Sequence, residues 1–150
     1  MSGQVYLDGR ADHSGAQVSV DPGGYSILTD SSGAFTLGPL SSGIYTVDVR
    51  MGSYLRAGGR SFEVIAGQTT LLPPVVLLGG DCDSDDNINI MDAGIVSFSF
   101  GLSQGQYGFD PRADINADSI VDIYDLVMIG NNFGCSVNDL TPRCMRWNRQ

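Results

Sequence analysis

At 150 residues with 42% hydrophobic content, the chain is long enough for one domain or two small ones, and disorder is not its default. Its net charge of −9 argues against nucleic acid, because no basic stripe exists to displace counterions from phosphate. All eight cations are Arg and none is Lys, which excludes lysine Schiff bases, phosphate-loop lysines and Lys–Asn isopeptide crosslinks.

From Gln4 to Leu78 the pattern is strand, turn, strand. Val5 and Leu7, Val18 and Val20, Phe35 and Leu37, and Tyr45, Val47 and Val49 alternate with polar neighbours, as strands with one buried face do. Asp21–Gly24, Asp30–Gly33, Ser41–Gly43, Gly58–Gly59 and Ala66–Gly67 supply the turns. The spacing predicts an all-β sandwich of about seven strands over residues 1–79, small enough to gain from an appended module. Tyr25, Tyr54 and Phe62 are read as core or edge packing, and the single His13 as a loop residue.

Three segments carry a resemblance: Ser14–Val20, Thr29-Asp-Ser-Ser-Gly-Ala-Phe-Thr-Leu37, and Leu40-Ser-Ser-Gly-Ile-Tyr-Thr-Val47. Together they resemble the carboxypeptidase regulatory-like family, which implies a transthyretin-like sandwich serving as a spacer or stabilising module. Asp30 to Gly33 is then a tight turn, with Phe35 and Tyr45 as core anchors on adjacent strands.

Leu71 to Gly80 reads as the last strand and a very short connection. Pro73-Pro74 makes it an edge strand or one with a break. With only Gly79-Gly80 as linker, the two halves are expected to touch.

Residues 80–137 contain one pattern written twice, 33 residues apart: Asp81-Cys-Asp-Ser-Asp-Asp-Asn-Ile-Asn-Ile-Met-Asp92 and Asp114-Ile-Asn-Ala-Asp-Ser-Ile-Val-Asp-Ile-Tyr-Asp125. Oxygen ligands at positions 1, 3, 5 and 12 match a twelve-residue loop wrapped around one Ca²⁺. Of 17 acidic residues, 16 are Asp, and nine of these lie in the two loops. Asp is a short, hard oxygen ligand, whereas a merely solubilising surface mixes in Glu. Two Ca²⁺ ions would bring the formal charge from −9 to −5. Each loop is followed by an apolar segment ending in Phe-Gly, at Phe100-Gly101 and Phe133-Gly134. Ile88 with Val121, Val96 with Ile129 and Phe100 with Phe133 then fit a helix face packed on its twin, with Gly as the stop.

A loop and one helix, twice, with Asp at position 12, resembles the dockerin family. The resemblance implies a calcium-folded plug that docks on cohesin domains. It also implies side-chain ligands Asp81, Asp83, Asp85 and Asp92 with the Asn87 carbonyl, and Asp114, Asn116, Asp118 and Asp125 with the Ile120 carbonyl. Asn89 and Asp122 at position 9 would act through a water. Position 6 departs from the family's Gly, with Asp86 and Ser119 where a left-handed backbone is needed. The first site is expected to bind more tightly, since Asn116 lowers the charge of the second. Partner-reading residues are then Ile90-Met91 and Ile123-Tyr124, either exposed as an apolar patch or buried against the sandwich. Phe98 matches Asn131, which breaks the symmetry. In the connector Leu102–Arg112, Tyr107 and Phe109 are expected to cap the core.

The entry and exit of such a loop–helix pair lie close together, so Cys82–Cys135 is the preferred disulfide and Cys135–Cys144 its competitor. One thiol is left over, open to intermolecular pairing. The tail, residues 138–150, is polar and would ordinarily fray.

The sequence thus predicts a two-domain chain, a β-sandwich followed by a small α module of two calcium loop–helix repeats. The expected function is a non-catalytic docking module, extracellular or on the cell surface, that binds a cohesin-like protein. The alternative is a structural subunit that assembles with copies of itself into a filament or surface layer. No stretch is long enough to span a membrane, and the N-terminus lacks the basic-then-apolar pattern of a signal peptide.

Overall fold

The computed structural model describes residues 1–139, 141–144, 146 and 147. Among these residues, eight strands form two four-stranded sheets. The strands are β1 (Ser2–Leu7), β2 (Gln17–Asp21), β3 (Tyr25–Leu28), β4 (Ala34–Thr36), β5 (Gly43–Arg50), β6 (Tyr54–Leu55), β7 (Ala57–Val64) and β8 (Val75–Gly79). One sheet runs β4-β1-β8-β6 and the other β3-β2-β5-β7. Two short helices follow, α1 (Ile90–Phe98) and α2 (Ile123–Asn132).

The period-two reading holds in detail. Val5, Leu7, Val18, Val20, Phe35, Leu37, Tyr45, Val47 and Val49 are all buried between the sheets. The Asp30 turn is built as its residues dictate: the carboxylate accepts from the Ser32 amide and hydroxyl and from the Ala34 amide, at 2.9, 2.7 and 3.0 Å. These bonds hold the Asp30 carboxyl below its ordinary range, the Ser32 hydroxyl most of all. Tyr54 is buried and Phe62 half-buried, while Tyr25 lies exposed on the edge strand β3.

The prolines act as a break and not as an edge. Leu72 donates to Ser2 ahead of them, and β8 begins only at Val75, running parallel to β1 in the interior of its sheet. Residues lacking an N–H fall in the gap between two pairings.

The helix pair is packed onto the end of the sandwich. Asn132 donates to the Gly79 carbonyl at 2.9 Å and to Asp8 at 3.0 Å. The Ile115 carbonyl accepts from Tyr54 Oη at 3.0 Å and from Arg10 Nε at 3.1 Å. Met128 occupies the space that a Cβ would take at Gly9 and at Gly79. One buried apolar cluster runs from Met1 through the sandwich to Ile129 and Trp147. The observed architecture is therefore a β-sandwich with two short helices sharing its core.

The disulfide is Cys135–Cys144, with Cα atoms 5.4 Å apart, which corrects the Cys82–Cys135 expectation. The reason lies in the repeat. Cys82 is the counterpart of Ile115, and both are buried core side chains. The Cys82 thiol is buried, not open to another chain, and burial pushes it up to about 12. The described part of the tail is packed: Trp147 pairs with Val75 and lies 5.5 Å from Phe62, and the buried Arg146 donates to the carbonyls of Ser136, Val137 and Cys144. Leu140, Met145 and 148–150 of the expected tail lie outside the described residues.

Candidate metal centre and binding face

Both helices start at loop position 10, and the reason is local. Asn89 and Asp122 are N-caps whose side chains accept from Met91 and Tyr124 amides, each at 2.8 Å. Three residues on, Asp92 and Asp125 return the bond to the cap's own amide, completing a capping box. Position 9 is thus engaged by its helix.

The same two aspartates organise the loops. Asp92 accepts from Cys82 and Asp83 amides at 2.7 and 3.3 Å; Asp125 accepts from Ile115 and Asn116 at 2.8 and 3.3 Å. Asp81 accepts from Asp85 and Asp86 amides, and Asp114 from Asp118 and Ser119. The chain therefore folds the two loops alike, hydrogen bond by hydrogen bond. They are also cross-paired: Ile88 exchanges bonds with Gly134 and Cys135, and Val121 with Gly101 and Leu102.

Carboxylate oxygens of Asp81, Asp83 and Asp85 lie within 4.8 Å of one another. Burial, followed by the charge of Asp92, pushes Asp81 up to about 7. Burial likewise raises Asp92, Asp114 and Asp125. Negative groups crowded at low dielectric want a cation, and the donor set is hard oxygen, the chemistry of Ca²⁺ rather than Zn²⁺. Side chains at positions 1, 3 and 5 of the first loop, Asp81, Asp83 and Asp85, fit that group.

Position 6 takes the left-handed backbone in both loops, with φ 68° at Asp86 and 76° at Ser119. A non-Gly residue there costs roughly 1–2 kcal/mol, partly offset by the unfolded-state freedom that Gly adds. Ser119→Gly is therefore expected to stabilise the protein by about 0.5 kcal/mol, a rise of roughly 1–2 °C in thermal unfolding. A lower transition temperature would overturn the strain reading.

The four predicted partner residues are exposed, not buried on the sandwich: Ile90 70%, Met91 64%, Ile123 55% and Tyr124 65%. Ile88, Val121, Val96 and Ile129 are core, as their alignment predicted. Phe100 and Phe133 are not; both are half-exposed, because Gly101 and Gly134 turn the chain at φ 81° and 83° just after them. Tyr107 is fully exposed and caps nothing, whereas Phe109 packs partly on the core.

The two helix faces differ. Beside α1 a groove of about 370 Å³ is lined by Ile90, Met91, Gly94, Ile95, Phe98 and the Asp110–Arg112 ion pair. Gly94 and Phe98 correspond to Val127 and Asn131 on α2, so the small residue that opens the groove and the aromatic that walls it occur once. The groove was legible only in that mismatch of the repeats.

Residues 1–77 match the carboxypeptidase regulatory-like domain family, and the chain belongs to it. That match ends ahead of both loops. The chain is also 26% identical over 117 residues to cellulosomal-scaffolding proteins B and A of Acetivibrio thermocellus; the alignment takes in 75% of this chain. The chain spans only 15% and 6% of the length of those relatives. Its fold is that of a chain in the crystal structure of a type II cohesin–X-dockerin complex from Acetivibrio cellulolyticus. The TM-score is 0.82 at 24% identity, covering 92% of this chain and 97% of that one.

These findings correct the expected function. The sequence cast the chain as a dockerin-like plug for a cohesin-type partner, or else as a self-assembling subunit. The curated relatives to which the chain is similar are named cellulosomal-scaffolding proteins. Among the described residues, no helix is long and apolar enough to cross a membrane.

Proposed function

We propose that this chain is a non-catalytic protein-interaction module of an extracellular, cellulosome-type scaffold, with its loop–helix pair ordered by two Ca²⁺ ions. The observation that carries the reading is the set of apolar side chains held out by α1 and α2: Ile90, Met91 and Phe98, then Ile123 and Tyr124. Exposed apolar groups on rigid, capped helix starts favour a protein partner over a small ligand. The regulatory-like sandwich is the platform that fixes their direction.

The calcium part of the reading is supported by the donor set and by the match between the two loops. Asp81, Asp83, Asp85 and Asp92 would hold one ion, and Asp114, Asn116, Asp118 and Asp125 the other. The ions would neutralise the crowded carboxylates and fix the start of each helix; they supply no reaction.

Met91→Asp tests the binding face. The calcium-loaded protein is titrated calorimetrically against cohesin modules and against dockerin modules of cellulosomal scaffolds. Loss of an exposed apolar anchor that a partner would bury is expected to weaken the productive pairing at least about tenfold, with thermal unfolding unchanged. Failure of the parent protein to bind either kind, or equal binding by the variant, rejects the proposal.

A further inference from the structure

The sequence leaves one departure from the loop pattern unexplained: an aspartate at position 6 of the first loop. In the fold its side chain has a partner. Asp86 accepts from Arg56 Nε at 2.7 Å, and Arg56 Nη1 reaches Asp48 of β5 at 3.1 Å. Asp48 also holds Arg50, at 2.6 Å. The backbone carbonyl of Asp86 accepts from Val137, at the start of the disulfide-closed tail, at 3.0 Å. One residue thus ties the first loop to the β3-β2-β5-β7 sheet through its side chain and to the tail through its backbone.

Position 6 of the second loop makes no such tie among the described residues; that loop meets the sandwich through the Ile115 carbonyl at position 2, which accepts from Tyr54 and Arg10. The Ser119 hydroxyl reaches Gln104, an exposed neighbour within the same half, at 3.3 Å. The two loops are alike inside and different in what they are anchored to.

We infer that Arg56 and Asp86 are positioning residues for the first cation site and form a strut that carries its occupancy to the sandwich. The inference rests on the calcium reading of the loop. Arg56 lies between β6 and β7, half-exposed, with its guanidinium shared by two carboxylates from opposite sides of the junction. Asp86 follows the ligand Asp85 directly, so closure of the loop on an ion fixes the backbone from which the strut springs. A guanidinium held in two directions transmits that restraint to Asp48 and the β5–β7 pairing. A neutral glycine at position 6 would relieve the backbone and cut the link.

Amide hydrogen exchange with and without Ca²⁺, alongside calorimetric Ca²⁺ titration, tests this on the whole chain. In the parent protein calcium is expected to slow exchange in β5 and β7 by about tenfold. In Arg56→Met that slowing should fall below about threefold, while calcium still slows exchange in α2 and around Ile115. Asp86→Gly, which the left-handed backbone accepts, should behave the same way, and Ser119→Gly should behave like the parent. Full retention of the β5–β7 effect in either strut variant overturns the inference. Loss of the effect in every element alike also overturns it, because that is general destabilisation. No binding heat in the parent protein removes the calcium reading itself, and the strut with it.

Discussion

Chelation of calcium is expected to melt residues 80–135 while leaving the sandwich strands folded at room temperature. Asp92 and Asp125 are fully buried, and each accepts three backbone amides that define a loop's closure and a helix's first turn. Without a cation these carboxylates face their own loop's negative charges, and burial already raises them. Each site filled to a hundred times its Kd would contribute about 2.7 kcal/mol, a large share of a domain's usual 5–15 kcal/mol. Far-UV circular dichroism and exchange of the α1 and α2 amides would record the loss. Helicity retained in chelator would overturn the claim that the ions fold this part.

The second large effect is expected at a glycine far from the loops. Gly33 ends the Asp30 turn at φ 85°, and an added Cβ would lie 1.9 Å from the Val5 carbonyl oxygen. The clash is with backbone in the middle of β1, and the Val5 amide already donates to the Gly33 carbonyl at 2.9 Å. Neither strand can retreat without breaking that bond. Gly33→Ala is expected to cost upwards of about 3 kcal/mol, from left-handed strain plus the main-chain overlap. Urea unfolding would measure it, and a change under about 1 kcal/mol would show that the turn can re-form elsewhere.

Much of this was written in the chain. Alternation placed the sandwich core, and the 33-residue repeat placed both loops and the Gly turns after them. What resisted reading was relational. Cys82 looks like a disulfide partner until it is aligned with Ile115, whereupon a core role follows. Phe100 and Phe133 keep the period of a buried face, yet the chain turns just after them and leaves them half-exposed. The Arg56–Asp86 pair joins residues 30 apart on elements whose mutual approach no local pattern encodes. The groove beside α1 depends on Gly94 and on a connector that the repeat does not duplicate.

The pairing of Trp147 with Val75 has a consequence for solubility. β6 covers β8 only at Leu78 and Gly79, so the first half of an apolar strand, Val75-Val76, would otherwise present bare N–H and C=O groups. Such an edge is a template for another chain. The Val76 amide instead donates to the Arg146 carbonyl at 2.8 Å, and the disulfide ahead of it shortens the search for that partner. The tail thus works as a built-in guard against strand-to-strand aggregation.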